Sequence, residues 1–132
     1  MEIRFKQPID FHLKVIETCD HVLSMCVQAK IVITLFQHVC QYEGEFWIAC
    51  ASWDEFTNSL RDSLWQETVL RDMSGYFLLT LRRTDDGLLF VWELRKTGIY
   101  SNQKVHVAFS SIIDDGVLGK ISSEFFDFPA WW

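Results

Sequence analysis

Residues 85–95 read DDGLLFVWELR, and this stretch decides the predicted fold. After the glycine, large apolar side chains occupy every second position, at Leu88, Phe90, Trp92 and Leu94. Successive side chains of a strand point to opposite faces, so this spacing predicts a strand with one buried face. A glycine also accepts the positive φ that tight hairpins require, which makes residues 85–87 a turn into that strand. The stretch therefore predicts an antiparallel hairpin packed on a core.

The same alternation continues on both sides of this hairpin. Apolar residues alternate with other residues at 76–83 before it and at 105–109 after it. Further strands are predicted at residues 11–16, 22–29, 31–39, 46–51 and 68–72, where β-branched and other apolar residues are frequent. The glycine in residues 42–45 predicts a turn there. The chain is therefore expected to be rich in antiparallel strands.

One predicted helix runs from about Trp53 to Leu64. Ser52 and Glu55 form a capping-box pattern, in which the serine caps the helix and the later glutamate bonds back to it. Apolar residues then recur at helical intervals, which gives the helix one apolar face. We expect this face to pack on the sheet.

The second predicted helix starts near the end of the chain. Asp114 or Asp115 can cap it, and its apolar stripe includes Ile121 and Phe125. Pro129 prevents the helix from continuing. The amphipathic pattern predicts that this helix also packs on the sheet.

Length and composition agree with one folded domain. The chain has 132 residues, of which 49% are hydrophobic and 15% aromatic, so it can bury a core. The sequence shows no internal repeat. The order of strands, helix, strands and helix predicts an α+β fold with a largely antiparallel β-sheet, a meander, and two helices packed on it. A single domain is expected over residues 1–132, with Trp131 and Trp132 folded back over a sheet edge or the helix–sheet seam.

The charge pattern restricts the partners that the chain can bind. It has 12 basic and 18 acidic residues, for a formal net charge of −6. Nucleic-acid binding needs clustered Lys and Arg against the phosphates, so we expect no nucleic-acid partner. The longest apolar run, residues 31–36, is too short to span a bilayer, and the N-terminus lacks a signal peptide's apolar segment. We expect a cytoplasmic protein without membrane contact, whose cysteines stay reduced and are mostly buried.

One cysteine–histidine pattern offers the ligands of a metal site. Cys19 and His21 form a Cys-x-His pair, and His38 and Cys40 form the mirrored His-x-Cys pair. Residues two apart on a strand point the same way, so two neighbouring strands could offer two sulfurs and two imidazoles to zinc. The ligands of a zinc knuckle are usually about two to four residues apart, however, and the sequence does not show that these strands pair. A small metal- or ligand-binding protein using these four residues is the alternative hypothesis.

The sequence carries no recognised catalytic motif. It has no glycine-rich phosphate loop, no serine nucleophile elbow and no calcium-loop spacing. The paired carboxylates at 54–55, 85–86 and 114–115 fall at predicted helix starts or turns, where they have a structural role. Cysteines and histidines allow pairings for a nucleophile, but none lies in a recognised motif. We therefore expect no enzymatic activity and no cofactor.

The second half of the chain nevertheless has a recognisable order of parts. WIACASWDEFTNSL is followed by LRDMSGYFLLTLRR, LLFVWELR and VHVAFSSIIDDGVLGKISSEFFDFPAWW. A strand leads into a helix that begins with Trp53, Asp54 and Phe56, a meander follows around residues 72–75, and a final helix ends near two tryptophans. Over about residues 46–132 this pattern resembles small bacterial immunity proteins, including the WapI-type family, which are encoded beside polymorphic or contact-dependent toxins.

The resemblance implies a protein that binds a cognate toxin C-terminal domain and blocks it, commonly by covering the toxin's active site. Many such toxins are nucleases with basic clefts, and an acidic patch can occupy such a cleft. The candidate toxin-binding residues are carboxylates in the turn, the first helix and the chain end: Glu43, Glu45, Asp54, Glu55, Asp62, Asp114, Asp115, Glu124 and Asp127. The toxin's identity and the oligomeric state stay open at this point.

Overall fold

The structure, a computed structural model, describes residues 1–100 and 102–132. In chain order these residues form β1 (Glu2–Phe5), β2 (Asp10–Cys19), β3 (Ser24–Leu35), β4 (His38–Ala49), α1 (Cys50–Arg61), β5 (Glu67–Arg71), β6 (Phe77–Thr84), β7 (Gly87–Thr97), β8 (Lys104–Ile113) and α2 (Asp115–Phe126). The predicted α+β class with antiparallel strands and two helices in a single small domain is confirmed.

The strands form two antiparallel sheets rather than one. Their orders are β1-β2-β3-β4 and β5-β6-β7-β8, and every neighbouring pair is antiparallel and consecutive in the chain. Each sheet is followed by a 12-residue helix. The order of four strands and one helix therefore occurs twice, a duplication of architecture that the sequence does not reveal.

The core lies between the inner faces of the two sheets. Phe77 of the second sheet stands 6.1 Å from Phe11 and 4.3 Å from Phe46 of the first, measured between ring centroids. Tyr42 and Trp92 meet across the same interface at 5.8 Å. All four apolar residues that alternate after Gly87 are buried, as their spacing predicts. Burying each such side chain contributes about 1.5–3 kcal/mol.

The two helices pack on each other and on the outer strands of the sheets. α1 packs against β5 and also contacts β4, whereas α2 packs against β1. Between the helices, Phe125 lies 5.1 Å from Trp53 and 4.8 Å from Phe56 by ring centroids. Ile121 and Phe125 are buried as predicted, and the Asp114 carboxylate accepts a hydrogen bond from the Val117 N–H at 2.8 Å, so Asp114 caps α2.

The predicted boundaries of α1 are wrong at both ends. The helix begins at Cys50 and ends at Arg61, and Ala49 precedes it without a side-chain cap. Strand β4 runs directly into the helix, and the Cys50 N–H donates to the Leu23 carbonyl at 2.9 Å, so sheet pairing orients its first turn. Ser52 therefore lies inside the helix and forms no capping box.

The turn predicted at residues 42–45 is also wrong. Strands β3 and β4 form one continuous hairpin whose turn is Phe36–Gln37, and Gly44 pairs with Ala29 in its middle. A Cβ at Gly44 would overlap the hydroxyl end of Tyr42. The glycine therefore makes room for the Tyr42 ring, which is one established reason for glycine inside a strand.

This assignment predicts opposite effects for two glycine-to-alanine substitutions. Gly44→Ala should lower the free energy of unfolding by about 1–3 kcal/mol, because its methyl group displaces a packed ring. Gly119→Ala should raise it by about 0.5–1 kcal/mol, because a Cβ at this position in α2 meets no atom within 4 Å. Urea denaturation of both variants measures the difference, and an unchanged Gly44→Ala would contradict the role given to Gly44.

Candidate functional site

The four residues of the proposed metal site lie at opposite ends of the first sheet. Cys19 pairs with Ser24 at one end of β3, and His38 pairs with Leu35 at the other end. The 12 residues of β3 place these ends about 35 Å apart at roughly 3.3 Å per residue. His21 lies two residues from Cys19, and Cys40 lies two residues from His38, so each pair stays at its own end of the sheet. The hypothesis that these four residues form one metal site is therefore wrong.

The rest of the described chain offers no replacement for that site. Within residues 1–100 and 102–132, no group of three or more His, Cys, Asp or Glu side chains is arranged to hold a metal ion.

The cysteines differ in exposure, and only two are fully buried. Cys26 and Cys50 are buried, Cys19 is half-buried and Cys40 is exposed, so the expectation of buried thiols fails for Cys40. Burial raises the pKa of the Cys26 and Cys50 thiols, and nearby carboxylates act in the same direction. A raised pKa lowers the thiolate fraction, which is the reverse of what a nucleophilic cysteine requires.

Alkylation should follow this order of exposure. At pH about 8, iodoacetamide should modify Cys40 first and Cys19 more slowly, because only an accessible thiolate attacks the reagent. Cys26 and Cys50 should react only after unfolding in guanidinium, where all thiols react at similar rates. Mass spectrometry over time measures each site, and modification of Cys26 or Cys50 as fast as Cys40 in the folded protein would contradict the assignment.

The acidic residues proposed for toxin binding divide into two groups. Glu43 accepts only a long bond of 3.4 Å from the side chain of its neighbour Gln41, whereas four others accept hydrogen bonds from a backbone N–H or an indole. The donors are the Trp132 indole for Asp54, the Leu64 N–H for Asp62, the Val117 N–H for Asp114 and the Arg4 N–H for Glu124. These carboxylates stabilise local structure, so they are weaker candidates for contacting a partner.

The second group is exposed but does not form one continuous patch along the chain. Glu55 lies on α1, while Asp115 and Asp127 flank the two ends of α2. Glu43 and Glu45 lie two residues apart on β4, and both point away from the core. Lys30 approaches Glu43 at 3.5 Å, an exposed pair that contributes little stability. Only Glu43 and Glu45 share one face of one element.

The end of the chain folds back as expected, but Trp132 lies on α1 rather than over a sheet edge or the helix–sheet seam. Trp132 Nε1 lies 3.0 and 2.9 Å from the two carboxylate oxygens of Asp54, to which it donates. Its ring stands 6.3 Å from Phe128 by centroids, and Phe128 packs on Trp53. The end of the chain therefore closes the contact between the helices.

Replacing the tryptophans one at a time separates the hydrogen bond from aromatic packing. Trp132→Phe should lower the free energy of unfolding by about 1–2 kcal/mol, because it removes a donor to a charged carboxylate. Trp131→Phe is the matched control, since the buried Trp131 indole N–H has no hydrogen-bond partner in the described chain. Thermal or urea denaturation should show a larger loss for Trp132→Phe, and equal losses would contradict the role of Asp54.

An almost fully exposed aromatic side chain, Phe36, lies at the tip of the β3–β4 hairpin. Strand β2 pairs with β3 only as far as Val32, so residues 33–40, here called the arm, extend beyond it. The arm exposes Leu35, Phe36 and Val39 to 57%, 92% and 66%. Three β3–β4 residue pairs lie beyond the end of β2, so the arm projects from the sheet by about 10 Å. Ile33 at the base of the arm still packs against the core, whereas the three residues nearer the tip are mostly exposed.

Phe36 also adopts a backbone conformation that is unfavourable for its residue type. Its φ is +55°, a region that glycine occupies easily and aromatic residues rarely do. Left-handed backbone costs an ordinary residue about 1–2 kcal/mol. The turn therefore holds a strained, exposed phenylalanine where glycine would be the favoured residue, and its own fold gives no compensating contact.

The arm continues into an acidic stretch of the same strand face. Val39, Gln41, Glu43, Glu45 and Trp47 alternate along β4 on the face that points away from the core. An apolar end thus leads directly into two carboxylates and a half-buried indole. Sequence reasoning found the glutamates but missed Phe36 and Val39. The sequence gives no turn signal at residues 36–37, because neither is glycine, asparagine or proline.

Two solvent-open depressions lie elsewhere on the surface. One, of about 800 Å³, lies between β1 and α2 and includes Arg4, Lys6 and Lys120 in its lining. The other, of about 490 Å³, includes Arg95 and Lys104. Positive residues thus line both depressions, so the net negative charge is not spread evenly over the molecule.

Comparisons with known proteins add no family to this picture. None of the helices in the described chain is long and apolar enough to cross a membrane. Searches of family models, of curated proteins and of solved structures found no significant match to this chain.

Proposed function

We propose that this protein is an immunity protein that binds a cognate toxin domain and neutralises it, without catalysis and without a cofactor. The observation that carries the proposal is the arm, whose tip presents a strained and almost fully exposed Phe36. The pattern resemblance of residues 46–132 to small bacterial immunity proteins supports the same function. The proposed place of action is the cytoplasm.

The chemistry of the arm suits a contact with another protein. Aromatic side chains often dominate binding energy at interfaces, because they bury a large area in a pocket of the partner. A two-stranded hairpin also holds Phe36 in place, so little conformational entropy is lost on binding. The strain at this residue is then offset by burial in the complex rather than in the free chain.

The charges next to the arm fit a basic partner surface. Glu43 and Glu45 follow the apolar tip along the same face of β4, so both would meet the rim of a cleft that receives Phe36. Negative charge steers a protein towards the phosphate-binding cleft of a nuclease and raises the association rate. The arm would then block the cleft by occupying it, and the toxin class favoured is a nuclease.

The test uses the toxin domain encoded beside this chain's gene. Phe36→Gly should raise the dissociation constant at least about tenfold, because the buried anchor is lost. The same substitution should leave the free energy of unfolding unchanged or raise it by up to about 1 kcal/mol, because the strain is relieved. Calorimetric titration and urea denaturation measure the two effects, with Leu64→Gly, at another exposed apolar site, as the binding control.

A charge-reversal pair tests the acidic part of the surface. Glu43→Lys with Glu45→Lys should slow association, and the difference from the unmodified protein should shrink at high salt. Asp85→Lys with Asp86→Lys changes the net charge equally at the exposed β6–β7 turn and serves as control. Equal effects of the two pairs would contradict the proposed surface. A neighbouring gene without a toxin domain, or no binding at micromolar concentration, would refute the function itself.

A further inference from the structure

The two sheets have four edge strands, and three of them are protected. β1 has four residues, and α2 packs against it, with the Arg4 N–H bonded to Glu124. β5 has five residues, and α1 packs against it. β4 is longer, but it carries the charges of Glu43 and Glu45 along its edge, and near its end the Trp47 carbonyl accepts a hydrogen bond from the Met73 N–H at 2.7 Å. The remaining edge, β8, has ten residues, and the main helix contacts lie elsewhere.

The hydrogen bonds of β7 show which backbone groups of β8 point outward. The Arg95 N–H donates to Tyr76 at 2.8 Å, so Arg95 faces β6, and its neighbour Leu94 must face β8. Leu94 pairs with Val107, so Val107 and every second residue from it bond to β7. The alternate residues therefore direct their N–H and C=O groups to the free edge: His106, Ala108, Ser110 and Ile112.

Beyond Lys104 at its start, this edge lacks the usual defences against pairing with another strand. Residues 107–113 contain no charge and no proline, and the register with β7 continues without a bulge. Natural edges normally carry one of these features to prevent association. The inward-pointing Val105, Val107 and Phe109 are also only partly covered, with Val105 55% exposed. Both the backbone and the apolar face of β8 thus remain available.

We propose that β8 pairs with β8 of a second copy of this chain, antiparallel about a two-fold axis through Phe109. In this register the outward-facing backbone groups of Ala108 meet those of Ser110 in the other copy, as hydrogen-bonded antiparallel pairs require. The two Phe109 rings lie opposite each other at the axis, and Val105 lies opposite Ile113. Aromatic and β-branched pairs of this kind stabilise antiparallel strands.

The charges at the two ends of the strand favour a second copy over other partners. Lys104 begins β8, and Asp114, which has an extended backbone, follows its last residue. The same register places Lys104 of each copy opposite Asp114 of the other, whose cap on α2 uses only the oxygen Oδ1, so the strand is complementary to itself. When such a strand pairs antiparallel with its own copy, the opposite charges at its two ends satisfy each other. Such isologous contacts are the commonest form of homodimer.

The test measures the mass of the purified chain in solution. Light scattering or equilibrium sedimentation should give twice the 15.5 kDa of one chain at micromolar concentration. Ser110→Pro removes an N–H that points to the free edge, so it should give the monomer mass without breaking a bond to β7. Gln41→Pro is the matched control, because it removes an outward N–H from the other long edge, β4, and should leave the dimer intact.

A second variant keeps the proposal testable if Ser110→Pro fails to fold. Lys104→Glu should raise the dimer dissociation constant about tenfold or more, because it places like charges opposite each other at both ends. Lys14→Glu, an equal charge change on the first sheet, should have no comparable effect. A monomer for the unmodified chain up to about 1 mM, or loss of the dimer in Gln41→Pro but not in Ser110→Pro, would overturn the proposal. The dimer does not depend on the proposed toxin binding.

Discussion

The packing of Phe77 between Phe11 and Phe46 is the contact on which the rest of the structure depends. It joins the inner faces of the two sheets, with centroid distances of 6.1 and 4.3 Å, and Trp92 extends the same aromatic layer to Tyr42. Large rings on facing sheets must interlock at close-packed density, so they set how the sheets stack. The helices then cover two of the edges that this stacking leaves.

The same stacking decides which surfaces remain exposed. A hairpin longer than the strand beside it must project from its sheet, and β3–β4 projects beyond β2 as the arm. Two helices cannot cover four sheet edges, so at least one long edge is left to other means of protection. The proposed toxin contact and the proposed self-pairing of β8 thus lie on different sheets. Both arise because the two helices leave parts of the sheets exposed.

The candidate site was only partly predictable, because a carboxylate has the same appearance in sequence whether it caps a helix or faces solvent. The cap of α2 was narrowed to Asp114 or Asp115, but the bonds from Trp132 to Asp54 and from Arg4 to Glu124 join residues 78 and 120 positions apart. The metal hypothesis failed for a related reason. Residue spacing along each strand was correct for ligands, whereas the strand register placed the two pairs at opposite ends of β3.

The sequence by itself determined the elements whose signals are local. Alternating apolar residues predicted β6, β7 and β8, and Gly87, whose φ is +127°, predicted the turn between β6 and β7. Asp114 or Asp115 predicted the start of α2. Only the tertiary structure decided the number of sheets, the purpose of Gly44 and the exposure of Phe36. These features depend on which residues meet across the core or fail to meet anything, and such contacts have no fixed spacing along the chain. Local sequence preferences therefore determine where the strands lie, and long-range packing determines which of their residues are exposed.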